Sequence, residues 1–420
     1  MAAMATLPDG LELVTLDRSR LADVLDLDMW AFPTSDSIED LMQIPSPLSW
    51  ERTHALREPA QPQRLVAMHS SYPFRQCPVP GGRAPVAGLT WVGVHPQWRR
   101  RGLLSAMIGV HLQHCRDRGE AVSLLTASEP AIYGRFGYGL ASRQVGLTMT
   151  RKAPLRPVQG SPAVTLRFET VEPQRHDDLI ARLHGAVDRP GWVTRETPQL
   201  RELWLNDAPV LRAGREADRI AIAERDGAPV GYALFRRKVD WAVAGPEGTV
   251  DVRELVAADP AVTHALWSRL LDLDLTTAVT TRALALDDPL LSLLVDVRAA
   301  RPVWQDNTWA RIVDLAAALS ARRYQAAVDV VLDVRDDLLP DNAGRWHLRA
   351  AAFGPASVER TARPAGLSLD IRELGAAYLG GTSLAESAAA GLVVDHGQDA
   401  LASASVAFGW PRSPVCSWIF

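Results

Sequence analysis

Near the start of the chain apolar residues first alternate and then recur at helical spacing. LELVTL (residues 11–16) reads as a strand, and RSRLADVLDLDMWAF places Leu21, Val24, Leu25, Leu27 and Met29 along an amphipathic helix. Prolines at 45, 47 and 59 predict short helices and loops as far as Pro62, after which strand alternation resumes from Leu65 to His69. From residue 85 the pattern sharpens. PVAGLTWVGV is an apolar strand, HPQWRRRG a short basic turn, and LLSAMIGVHLQHCRDRG a helix with Leu103, Leu104, Met107, Ile108 and Leu112 on one face and Gly119 as its stop. A second strand, AVSLLTAS, leads through the aromatic, glycine-rich EPAIYGRFGYGLA into a further strand, QVGLTMT.

KAPLRPVQGSPA, rich in Pro and Gly, is the expected linker, closing a first domain at residues 1–155. The same βα order then recurs: VTLRFET, a helix around DDLIARLHGAV, strands at IAIAER and PVGYALFRR, and TVDVRELVAADPAVTHALWSRLLDLDL. This second copy, residues 156–302, has AADPAV where the first has its basic turn. Without glycine for close backbone approach and without a cation, it is expected to bind no pyrophosphate and to be structural. Beyond Arg301 strands and helices no longer alternate as βαβ units, so residues 303–420 are expected to form a separate α+β domain. The chain closes on SPVCSWIF, and its apolar end gains by docking into protein.

Composition narrows the class. A chain of 420 residues suits several domains, and 47% hydrophobic with 22% charged residues describes a globular protein. A formal charge of -4 with acids and bases interspersed gives no field directed at nucleic acid or a membrane surface. The opening MAAMATLPDGLELVTL carries acids where a secretory signal needs bases, and no apolar run reaches membrane-spanning length, so a cytoplasmic protein is expected. Cys77, Cys115 and Cys416 lack disulfide or zinc-site spacing and read as free thiols. His111 and His114, on one helix, read as a surface pair rather than metal ligands.

The basic turn carries the most specific chemistry. Amide N–H groups at a helix start form an anion site, to which Arg100 and Arg101 add charge-assisted bonds while Gly102 admits a phosphate to the backbone. The turn resembles the R/Q-x-x-G-x-G/A pattern of GNAT acetyltransferases, matched by Arg99 and Gly102 with Leu104 in the last position. Together with TASEPAIYGRFGYG, the RRRGLL turn resembles the Eis (enhanced intracellular survival) family of N-acetyltransferases. That resemblance implies a tandem GNAT pair, the second degenerate, followed by a sterol-carrier-like α+β domain, with acetyl-CoA as cosubstrate and assembly as a homo-oligomer, a hexamer. It also implies cofactor contacts at Val92, Gly93, Val94, Arg100, Arg101, Gly102, Leu103, Leu104, Ser105, Ser128 and Glu129.

Acetyl transfer to an amine needs a held thioester, a polarised carbonyl, a neutral amine and a proton for the leaving thiolate. Backbone groups of residues 92–94 suit the pantetheine arm and the oxyanion. Tyr133 is the expected general acid, because a phenol stays protonated above the range of a thiol, with Tyr138 as the alternative. The general base is given by resemblance alone: the C-terminal carboxylate of Phe420, whose low basicity needs burial or a water relay. Asp26, Asp28, Asp36 and Glu39 are candidates for attracting a cationic acceptor, which by resemblance is an aminoglycoside-like polyamine or a lysine side chain. Two other classes remain open: a non-catalytic acyl-CoA sensor on the same scaffold, and lipid carriage by the third domain.

Overall fold

A computed structural model describes residues 10–397 and 399–420; the stretch read for a secretory signal lies outside the described residues as far as Asp9. The first of two seven-stranded sheets runs β1 (Glu12–Thr15), β2 (His54–Arg57), β3 (Leu65–Val79), β4 (Gly82–Val94), β5 (Val122–Leu125), β16 (Trp309–Ile312) and β6 (Gly139–Leu140). The second, in the same sense, runs β8 (Thr165–Thr170), β9 (Arg219–Arg225), β10 (Ala228–Lys238), β13 (Gly248–Ala257), β14 (Thr276–Leu284), β7 (Arg143–Thr150) and β15 (Val303–Asp306). A small hairpin, β11 (Trp241–Ala242) and β12 (Gly245–Pro246), projects between β10 and β13.

The two sheets are duplicates. Each has one parallel pair at the same place, β4 with β5 and β13 with β14, in an otherwise antiparallel order. A parallel pair requires a crossover, and a helix supplies it in both: Leu103–Asp117 and Pro260–Leu271. Each sheet also borrows a strand. β7, the last strand of the first segment, pairs with β14 and β15, while β16, which follows the second segment, inserts between β5 and β6. Hydrophobic periodicity marks these strands but not their partners.

The remaining chain forms a five-stranded sheet with β17 (Val328–Arg335) at its centre, flanked by β18 (Gly344–Ala350) and β19 (Ala356–Arg360) on one side and β20 (Leu367–Asp370) and β21 (Val393–Asp395) on the other. One buried cluster joins it to the first sheet, from Tyr72 and Phe74 on β3 to Phe408 and Trp418. Among the described residues no helix is long and apolar enough to cross a membrane.

The histidine pair corrects the expectation from sequence. His111 is only 1% exposed: its position one turn before Cys115 turns it onto the sheet, where Nε2 lies 2.8 Å from Ser123 Oγ and the ring meets His69. His114 is half-buried against His54, with ring centroids 4.4 Å apart. The three cysteines are free and buried.

Candidate active site

The site begins where the first sheet splits. The parallel ladder between β4 and β5 runs only from Val86/Val122 to Gly88/Leu124. Just beyond it β4 bulges: Ser70 faces Thr90 and Met68 faces Gly93, so β4 carries one extra residue, and Trp91 turns to φ 51°. The strands diverge, and the β5-facing edge of β4 at Val92, Gly93 and Val94 is left without a strand partner.

The turn after β4 closes the end of this cleft. His95 accepts from the N–H of Gln97 to start a short 3-10 turn, Arg100 adopts φ 62°, and Gly102, at φ 81°, caps the helix Leu103–Asp117 with no side-chain bond. Nothing would crowd a Cβ at Gly102, so glycine is required by its left-handed backbone and by access to the helix's first N–H groups. Two left-handed residues, Arg100 and Gly102, on either side of Arg101 and beside a helix start with no side-chain cap, suit an anion nest with the macrodipole behind it.

A cavity of about 420 Å³ fills the split. Of the eleven cofactor positions expected from sequence, ten line it: Val92, Gly93, Val94, Arg100, Gly102, Leu103, Leu104, Ser105, Ser128 and Glu129. Arg101 is the exception, its guanidinium lying over the Trp98 ring at 4.9 Å. Trp98 and Arg135 also line the cavity and were missed. Arg135 sits two residues from Tyr133 in the motif already singled out, whereas Trp98 had no signal beyond its place beside the arginines.

A second cavity of about 240 Å³ adjoins the first, sharing Phe32, Val92, Ser128 and Tyr133 with it. Here Tyr133, Phe420 and Asp28 come together, with Trp91, Thr126 and Ile419 in the walls. Tyr133 projects from the 3-10 segment Pro130–Phe136, and burial, with Glu129 nearby, pushes its phenol up to about 12. Tyr138, the alternative, is wholly buried, bonds Ser123 Oγ at 2.9 Å and lines neither cavity. Asp28, on the helix Leu21–Ala31, is raised by burial to about 6. Asp26, Asp36 and Glu39 line neither cavity.

Phe420 reaches this place along a tied route. Arg189 Nη1 donates to the Ser413 carbonyl (2.6 Å), Asn307 exchanges bonds with the Cys416 backbone (2.8 and 3.0 Å), and Trp418 Nε1 donates to the Val193 carbonyl (2.9 Å). Thr126 Oγ1 donates to the Phe420 main-chain oxygen at 2.7 Å, and the Phe420 ring stands edge-on to Phe74, 5.0 Å between centroids.

Comparison with known proteins agrees with this architecture. Residues 13–141 and 191–312 each match a family model described as acetyltransferase (GNAT) domain, and residues 315–417 match one described as sterol carrier protein domain. An uncharacterized N-acetyltransferase of Streptomyces avermitilis is 41% identical over 84% of this chain and 86% of its own length. N-acetyltransferase Eis of Mycobacterium tuberculosis is 35% identical over 80% of this chain and 81% of its own. The crystal structure of Eis1 from Mycobacterium abscessus superposes with a TM-score of 0.80 at 29% identity, covering 98% of this chain and 100% of that one. The chain is an N-acetyltransferase of the Eis-like GNAT family, with tandem GNAT domains followed by a sterol-carrier-like domain.

Proposed function

We propose that this enzyme transfers the acetyl group of acetyl-CoA to a primary amine of a polycationic acceptor, of the aminoglycoside or polyamine type or a lysine side chain. The observation that carries the reading is the shared cavity: a phenol, a chain end and a carboxylate meet beside a cleft whose far end is an anion nest. The residues present fit the cosubstrate. Arg100 and the N–H groups of Leu103, Leu104 and Ser105 would hold its pyrophosphate, and the unpaired edge of β4 at Val92, Gly93 and Val94 would hold the pantetheine arm by main-chain bonds. When bound, acetyl-CoA supplies the thioester carbonyl and the leaving thiolate.

In this reading Tyr133 is the general acid: raised by burial, it keeps its proton at neutral pH and gives it to the departing sulfur. The α-carboxylate of Phe420, held by Thr126, takes the proton from the acceptor ammonium. Asp28 draws the cation in, and ionises once a positive charge offsets its burial. The Val92 N–H, at the bulge, is the donor for the oxyanion. We also propose a homo-oligomer, a hexamer; exposed Val303 and Trp304 on the edge strand β15 support self-association, and light scattering of Trp304→Glu tests it.

The decisive experiment follows thiol release from acetyl-CoA with an aminoglycoside, a polyamine and a lysine peptide, beside a variant carrying one extra residue after Phe420. Activity that the extension abolishes, at an unchanged melting temperature, is expected. Activity that survives the extension sinks the Phe420 assignment, and acetyl-CoA binding without turnover on any amine sinks the transferase reading of this site.

A further inference from the structure

The second GNAT domain retains the split that forms the cleft in the first. Its parallel ladder ends at Val252/Thr281, and β13 bulges just past it: Phe235 faces Val252 and Leu234 faces Glu254, leaving Arg253 extra. Glu254 therefore stands at the mouth of the split, where the first domain offers the backbone beside Val92. The chain itself fills this opening. Val415 and Ser417 enter it between Glu254 on β13 and residues 281–285, leaving a void of about 50 Å³.

The contact centres on a buried carboxylate. Ser417 Oγ donates to Glu254 Oε2 at 2.9 Å and receives the Nε2–H of His184 at 3.0 Å. Arg195 Nη2 donates to the same Glu254 oxygen at 2.6 Å, and Tyr232 OH donates to Oε1 at 2.5 Å. Burial alone would raise the Glu254 carboxyl, but the Arg195 charge and these bonds outweigh it and hold it at about 2. Burial keeps His184 neutral. The Arg195 guanidinium lies 3.7 Å from the Trp204 ring centroid and 5.3 Å from that of Trp418, so one cation braces both the carboxylate and the tail.

We propose that the vestigial cleft of the second domain is a docking site for the chain's own residues 413–418, and that Glu254 is the positioning residue that sets Phe420 at the active site three residues beyond Ser417. The second half rests on the Phe420 reading given above. Asn307 and Val193 hold the main chain at Cys416 and the ring of Trp418; anchoring the Ser417 side chain between them to a fixed charge in the second sheet adds the tie that fixes the direction of the last residues. The degenerate domain thereby acts on the reaction without touching cosubstrate or acceptor.

The test uses the full chain with Glu254→Gln, Ser417→Ala and Ser417→Thr, the last retaining the hydroxyl, with its methyl admitted by the void beside it. Two quantities are read on each folded variant: the rate at which a carboxypeptidase releases Phe420, and kcat and KM with the best acceptor of the amine panel. Glu254→Gln and Ser417→Ala are expected to speed release by roughly tenfold, the change produced by losing a hydrogen bond to a charged group. They should lower kcat with the KM for acetyl-CoA unchanged, and Ser417→Thr should restore both readouts. Unchanged release in both variants overturns the docking proposal whatever the activity does. Faster release with unaltered kcat leaves the docking standing and overturns the catalytic role of Phe420, and with it the positioning role of Glu254.

Discussion

The two GNAT domains share a strand order, a parallel pair, a bulge and a crossover helix, and differ at two points: the cap of the crossover helix and the filling of the split between strands. At the start of the first crossover helix, Gly102 leaves the N–H groups uncapped among arginines; at the start of the second, Asp259 accepts from the Val262 N–H at 3.0 Å and pairs with Arg225 at 2.7 Å. The carboxylate fills with the protein's own anion the place where a pyrophosphate would sit. In the split between strands, the first domain keeps a cavity of about 420 Å³ and the second retains about 50 Å³ beside Val415 and Ser417 of the C-terminal tail. On the proposed reading, a duplicated domain gives up cosubstrate binding with no change of fold, through an internal cap and an internal occupant alone.

The comparison is broken most severely at Tyr133, which has no partner in the second domain's filled cleft. Tyr133→Phe should lose about a hundredfold or more in kcat while acetyl-CoA binds as before, measured by thiol release and by calorimetry. Writing the second domain's cap into the first sharpens it: Gly102→Asp should weaken acetyl-CoA binding by about tenfold or more, through like charge at the anion site and strain at φ 81°. Arg100→Ala, removing one cation from the nest, should raise the KM for acetyl-CoA less than that and leave kcat nearly intact.

Asp28 gives the open cleft of the first domain a pH signature at the acceptor's entry, whereas Asp288, likewise raised to about 6 by burial, lines the second domain's filled one. The folded value of Asp28, about 6, lies above the ordinary 3.8, so its contribution to stability is complete below 3.8 and is lost as pH rises through 6. The same ionisation makes it a better cation site, so the acceptor KM should fall several-fold between pH 5 and pH 7. Asp28→Asn should flatten that profile and raise the melting temperature at neutral pH. The smallest effect belongs to the second domain: Asp259→Ala should cost about 1 kcal/mol in chemical denaturation and leave the KM for acetyl-CoA unaltered, since the carboxylate serves only that domain's helix and its exposed pair with Arg225.

Much of this was legible in the sequence because it is local. A strand, a basic turn with Gly102 and a helix are read from adjacent residues, and the lack of Arg and Gly in AADPAV tells the two copies apart; Asp259, directly before Pro260, is a helix-cap signal in the same stretch. Tyr133 stood in a motif. What was not legible depends on distant pairing: β7 and β16 look like ordinary strands, and nothing local tells them to exchange sheets. His111 and Asp28 had a helical signal that was available. His111 lies one turn from Cys115, and Asp28 lies one turn from both Val24 and Leu25, on faces that the structure buries. The meeting of Phe420 with Tyr133 brings together residues from the two ends of a long tertiary path, and only the family resemblance anticipated it.

The insertion of β16 between β5 and β6 has a temporal meaning. A nascent chain emerging from the ribosome presents β1 through β6 early, but their sheet has a gap until Ile312 has cleared the exit tunnel, by which point the whole second domain has been made. The first domain must therefore wait in an open form with β5 and β6 exposed. A fragment ending at residue 302 leaves those strands as unprotected edges, prone to pair with a neighbour's.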